Sequence, residues 1–100
     1  MTLIMKEPIH YEFRLFVAAD TQNSLQAIAN LRALCKDYLP DRHAIEIVDV
    51  FREPARALAD GVFMTPTLIK LGPLPARRIV GTLSQLHVVL QTLDLGDSAA

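Results

Sequence analysis

Residues 12–19, Glu-Phe-Arg-Leu-Phe-Val-Ala-Ala, constrain this chain more than any other segment. Phe13, Leu15 and Val17 alternate on one face of a strand, while Phe16 and Ala18 line the other. A strand apolar on both faces needs cover on both, which makes it central in a sheet flanked by helices. A polar turn, Asp20 to Ser24, follows it. Asn23 is placed there to cap a helix, with Gln26 reaching back. Leu25, Ile28, Leu31, Cys35 and Tyr38 then mark one apolar helix face, which ends near Leu39-Pro40. Residues 45–51 read as a second strand. Strand, helix and strand in this order form a right-handed βαβ unit with parallel strands.

The second half is punctuated as clearly. Pro54 stands at a helix start and Gly61 at its C-terminal cap, with a short helix over 55–60 between them. Residues 67–71 and 77–80 are two strands joined through Gly72-Pro73-Leu74-Pro75, hence an antiparallel hairpin. Thr82 with Gln85 forms a capping box, and Leu83, Leu86, Val89, Leu90 and Leu93 give the last helix its apolar face. The order β-α-β-α-β-β-α is satisfied by an α/β fold with one mixed four-stranded sheet, the thioredoxin-like core. The expected domain spans 12–95, with loose ends at 1–11 and 96–100.

The chain has 100 residues, enough for one domain with a thin core that an oligomer interface would help. Ten basic residues against eleven acidic ones leave a net charge of −1, which argues against nucleic acid as a partner. No apolar run is long enough for a signal peptide or a membrane span, so the cytoplasm is the expected location. A single cysteine, Cys35, cannot close an internal disulfide and fits a reducing compartment.

Redox members of the thioredoxin-type fold carry a cysteine pair at the turn into the first helix, where the helix N-terminus stabilises a thiolate. Here that turn is Asp20 to Ser24 and holds no cysteine. Cys35 lies about three turns further along and reads as a small core side chain. A glutaredoxin-like or glutathione-binding protein using Cys35 is the redox alternative. It is disfavoured because Gly81-Thr82-Leu83-Ser84, after the fourth strand, lacks the carboxylate that glutathione binders place there. His10, His43 and His87 fall in different elements without ligand spacing, so neither a metal nor another cofactor is expected. Pro66, in Thr65-Pro66-Thr67, has two readings: a cis proline exposing a strand edge, or a residue that blunts the strand start. Arg77 and Arg78, with Lys70 on the neighbouring strand, form a basic edge that either discourages aggregation or receives an acidic partner.

At this point the sequence resembles the KaiB family of circadian clock proteins. The segments that carry the likeness are 14–24, 47–54, 65–84 and 89–95, and the most specific is 65–84, with its paired arginine followed by Ile-Val-Gly. The resemblance implies a non-enzymatic regulator. Such proteins bind the ring-shaped ATPase KaiC, and the complex captures KaiA, which favours KaiC dephosphorylation. A clock-output histidine kinase is a further implied partner. The family also implies a metamorphic fold: a homo-oligomeric ground state, dimer or tetramer, rearranges its C-terminal half into the thioredoxin-like state that binds KaiC. By match, Lys70, Arg77 and Arg78 fall on positions expected to contribute to partner binding. Pro66, Pro73, Pro75, Thr92 and Asp94 are the candidates for cis-proline or fold-switch positions.

The chain departs from the family at Ala19-Asp20, where Gly-Asn is common, and at Gln22, where proline is. Thr92 replaces a helix glycine, which costs roughly 1 kcal/mol against alanine in a helix interior. Thr92 therefore favours a continuous last helix and biases the chain toward the thioredoxin-like state. These departures also admit a KaiB-like paralogue serving a reduced timer or a stress response.

Overall fold

In the computed structural model, which describes residues 9–95, the chain builds β1 (Tyr11–Val17), α1 (Gln22–Tyr38), β2 (His43–Asp49), α2 (Pro54–Ala59), β3 (Thr67–Gly72), β4 (Arg77–Val80) and α3 (Leu86–Thr92). The four strands lie in the order β2-β1-β3-β4. β1 pairs parallel with β2 and antiparallel with β3, and β3 pairs antiparallel with β4. This is the mixed, thioredoxin-like sheet that the element order predicts.

The two-faced pattern of β1 sets the layers. Phe13, Leu15 and Val17 pack with Leu31, Leu34 and Cys35 of α1 and with Val89, Leu90 and Leu93 around α3. Phe16 points the other way and packs with Val48, Ala57, Val62 and Ile69 under α2. Burying each such large side chain contributes about 1.5–3 kcal/mol against leaving it in water. The larger cluster lies on the α1/α3 side and the smaller on the α2 side.

Several sequence expectations shift on contact with the tertiary structure. β1 begins at Tyr11, inside the segment expected to be loose, because its N–H donates to Arg42 O at 2.8 Å. The rest of that expectation falls mainly on 1–8 and 96–100, outside the described residues. The cap of α1 is Thr21 rather than Asn23: its side chain accepts from Ser24 N–H at 3.4 Å. Ser24 is itself buried, its hydroxyl accepting from Ala18 N–H at 3.0 Å, which fixes the first turn against the end of β1. Leu25 is exposed. Successive three-residue steps each fall short of a full turn by about 60°, so Leu25 lies well off the face centred on Leu31. Ala27 and Leu34 are buried there instead.

The start of α3 is the largest correction. The helix begins at Leu86, not behind a Thr82–Gln85 box. Thr82 O accepts from Asn30 Nδ2 of α1 at 2.8 Å, and the Thr82 hydroxyl meets Ser84 Oγ at 3.0 Å. Leu83 adopts a φ of 62° and drops its side chain into the core. A residue in that left-handed region cannot sit inside a helix, so the helix starts after it. Leu86, assigned to the apolar face, is exposed as a result.

Candidate partner-binding surface

The hairpin of β3 and β4 gathers the basic residues singled out in the sequence, and strand alternation separates them. Lys70 faces Arg77 across the hairpin, and Ile69 faces Arg78. Side chains directly opposite share a face, so Lys70 and Arg77 lie on the α1/α3 side and Arg78 on the α2 side. Lys70 is not part of an open edge, because β3 is an interior strand: the residue is 1% exposed. A buried ammonium needs partners. Its Nζ donates to Leu93 O at 3.2 Å, lies 3.4 Å from Asp94 Oδ2 and sits 5.9 Å from the centre of the Tyr11 ring.

Arg77 Nε reaches the same Asp94 oxygen at 3.2 Å. The Arg77 guanidinium, and then Lys70, hold the Asp94 carboxyl below the usual carboxylate range. Both cations thus fasten the C-terminal end of α3, where helix carbonyls and the macrodipole favour positive charge. Arg78 does the same for α2. Its Nη1 donates to Gly61 O at 3.1 Å and its Nη2 donates to Asp60 O. The basic residues are therefore internal clamps whose outer surfaces remain exposed at Arg77 and Arg78 but not at Lys70.

The remaining sequence candidates border the same hairpin. The Thr65–Pro66, Gly72–Pro73 and Leu74–Pro75 bonds are all cis, and Pro66 is buried at the start of β3. Thr92 ends α3, with its hydroxyl donating to Val88 O at 2.8 Å. Residues 86–92 form the helix that Thr92 closes.

The sequence reading missed an apolar surface around α2. Phe51, Leu58, Phe63 and Met64 are 73%, 71%, 86% and 64% exposed. Phe51 leaves the sheet because its N–H turns back to Asp49 Oδ1 at 2.8 Å. Phe63 and Met64 fill the short link between the Gly61 turn and Thr65-Pro66. Two large apolar residues in such a link have no regular element to bury them, and that was the available signal. A charged network ties β1 and β2 to α2. Arg14 on β1 pairs with Glu46 at 2.8 Å and with Asp60 at 2.9 Å, and Arg56 on α2 reaches Glu46 at 2.6 Å. Arg56 and then Arg14 pull the Glu46 carboxyl down to about 2.

Redox chemistry finds no support in this geometry. Cys35 is fully buried, and burial pushes its thiol up to about 12, away from the nucleophilic thiolate. No group of three or more His, Cys, Asp or Glu side chains among the described residues could hold a metal ion. No helix among them is long and apolar enough to cross a membrane.

The family model described as the KaiB domain matches residues 14–95. The chain belongs to the KaiB family. It is 42% identical over 82 residues to the circadian clock protein KaiB3 of Synechocystis sp., covering 82% of this chain and 80% of that one. It is 41% identical over 85 residues to the circadian clock oscillator protein KaiB of Prochlorococcus marinus, covering 85% and 71%. Against KaiB of Synechococcus elongatus the identity is 40% over 85 residues, covering 85% and 83%. Among solved structures, the N-terminal domain of Synechococcus elongatus SasA superposes with a TM-score of 0.71 at 16% identity, covering 97% of this chain and 95% of that one. Chloroplastic thioredoxin z superposes at 0.69 with 18% identity, covering 87% and 80%. These two likenesses establish the thioredoxin-like fold of this KaiB chain, and the sequence relatives place it among circadian clock proteins.

Proposed function

We propose that this KaiB-family chain regulates a circadian clock by binding rather than catalysis: it docks on a KaiC-type ATPase ring, and the complex sequesters KaiA and favours dephosphorylated KaiC. The observation that carries the reading is the exposure of four large apolar side chains, Phe51, Leu58, Phe63 and Met64, on α2 and the links on either side of it. Exposed apolar side chains gathered on one short element and its flanking links mark a candidate protein interface. Arg77 and Arg78 supply cations to an acidic partner, and buried Lys70 contributes through the Asp94 carboxylate that it holds. Pro66, Pro73, Pro75, Thr92 and Asp94 lie in the segment whose rearrangement would separate a homodimeric or homotetrameric ground state from this binding state. A clock-output histidine kinase with an input domain of this fold competes for the same ring. The protein acts in the cytoplasm and needs no cofactor.

The test is a pull-down of a KaiC-type ATPase under ATP-hydrolysing conditions. Unmutated protein is expected to be retained with the ring, and Phe63→Ser and the Arg77→Glu/Arg78→Glu pair are expected to lose retention. Absence of binding by unmutated protein overturns the reading. The second reading, a KaiB-like paralogue in a reduced timer or stress response, rests on the departures at Ala19-Asp20, Gln22 and Thr92. It predicts ring binding without KaiA capture.

A further inference from the structure

β4 is a terminal strand of the sheet, and its outer edge has a readable hydrogen-bonding pattern. Gly81 N–H donates to Pro66 O at 2.9 Å, and the register continues as Val80 opposite Thr67, Ile79 opposite Leu68, Arg78 opposite Ile69 and Arg77 opposite Lys70. Antiparallel ladders alternate bonded and non-bonded pairs. The backbone groups of Ile79 and Arg77 therefore turn inward to β3, while the N–H and C=O of both Arg78 and Val80 turn outward.

Two features flank this open edge. On the α3 side a groove of about 310 Å³ is lined by Ile79, Leu83, Val88 and Val89, together with Thr82 and Ser84. Val88, and Val80 which also lines it, are about half exposed. On the α2 side stands Arg78. Its partners are the carbonyls of Asp60 and Gly61, whereas the Asp60 carboxylate is engaged by Arg14. Among the described residues Arg78 has no carboxylate partner, so its charge is uncompensated, unlike that of Arg77 beside Asp94.

We propose that the β4 edge accepts an extended acidic segment of a partner protein as an added strand. Strand addition supplies backbone hydrogen bonds, and side chains pointing alternately to the two faces supply selectivity. An apolar side chain of the incoming segment enters the groove beneath Val88, and the next one, acidic, meets Arg78. A second copy of β4, Arg-Arg-Ile-Val, offers Arg78 no acidic side chain. This surface goes beyond the proposed function, since it needs neither the apolar α2 face nor a KaiC-type ring.

The experiment titrates the isotopically labelled full chain with the synthetic peptide Thr-Val-Glu-Val-Glu-Val-Thr and with its lysine-for-glutamate counterpart. The acidic peptide is expected to slow amide hydrogen exchange at Arg78 and Val80 and to bind about tenfold more tightly than the lysine peptide. Arg78→Gln is expected to erase that preference. Val80→Pro removes an outward N–H, which an edge position tolerates, and is expected to abolish binding in a folded protein. Unchanged exchange at Arg78 and Val80, equal affinity for both peptides, or full binding by Val80→Pro overturns the proposal. So does a concentration-dependent dimer that protects those two amides without peptide, which would assign the edge to a second copy of the chain.

Discussion

Lys70 and Asp94 meet at the C-terminal end of α3, with Lys70 Nζ 3.4 Å from the Asp94 carboxylate and 3.2 Å from Leu93 O. One partner is buried and the other is half exposed, so the two ends of the pair respond differently to substitution. Lys70→Ala leaves a cavity beneath α3 and is expected to cost about 2–4 kcal/mol. Lys70→Met keeps most of the volume and needs no ionic partner, and is expected to cost less than about 1.5 kcal/mol. Urea unfolding of both variants measures the difference. A Lys70→Ala protein as stable as Lys70→Met would show that the packing beneath α3 contributes little.

Glu46 gives acid stability a defined window. Its carboxyl lies at about 2 in the folded chain against an ordinary 4.5, through Arg56 first and Arg14 second. A carboxyl depressed by folding adds stability that is fully present above its unfolded value. That contribution is therefore lost as pH falls from about 4.5 toward about 2. Glu46→Gln is expected to lower Tm at pH 7 and to flatten the fall of Tm across that window. Parallel Tm–pH curves for the two proteins would rule out this origin.

Cys35 should behave as a core side chain. With its thiol pushed to about 12, the thiolate fraction at pH 8 is on the order of a thousandfold below that of a free thiol. Alkylation of the native chain by iodoacetamide is expected to be slower than that of the urea-unfolded chain by at least that factor. Cys35→Ser is expected to leave partner binding unchanged while costing about 1–3 kcal/mol from a buried hydroxyl. Rapid native alkylation would reopen the redox alternative.

Asn30 ties α1 to the segment that precedes α3 through its bond to Thr82 O. Asn30→Ala is expected to cost about 1 kcal/mol and to speed amide exchange at 82–85 without changing α1. Unchanged exchange there would mean that burial of Leu83 alone holds the segment.

Local pattern was enough for the order of elements, because periods of two and of 3.6 residues differ plainly in β1 and α1. It was enough also for the central place of β1, since Phe13 and Phe16 must both be buried on opposite sides. The family was legible in 65–84, where side-chain identity at consecutive positions carries the likeness. The limits of α1 and α3 were less legible, because a cap is chosen by what the turn touches. Ser24 reaches Ala18 and so leaves the cap to Thr21. Asn30 and Leu83 delay α3 by contacts more than fifty residues apart or directed into the core.

The sequence by itself determined a mixed α/β sheet without a cysteine pair at its redox turn, and a hairpin bearing Lys70, Arg77 and Arg78. Only the tertiary structure decided what those three cations do. Alternation along β4 sends Arg77 to α3 and Arg78 to α2, and the interior place of β3 buries Lys70 against Leu93 and Asp94. The same assembly left Phe51, Leu58, Phe63 and Met64 outside the core. Burial depends on which elements meet in space, and no spacing within one segment contains that information.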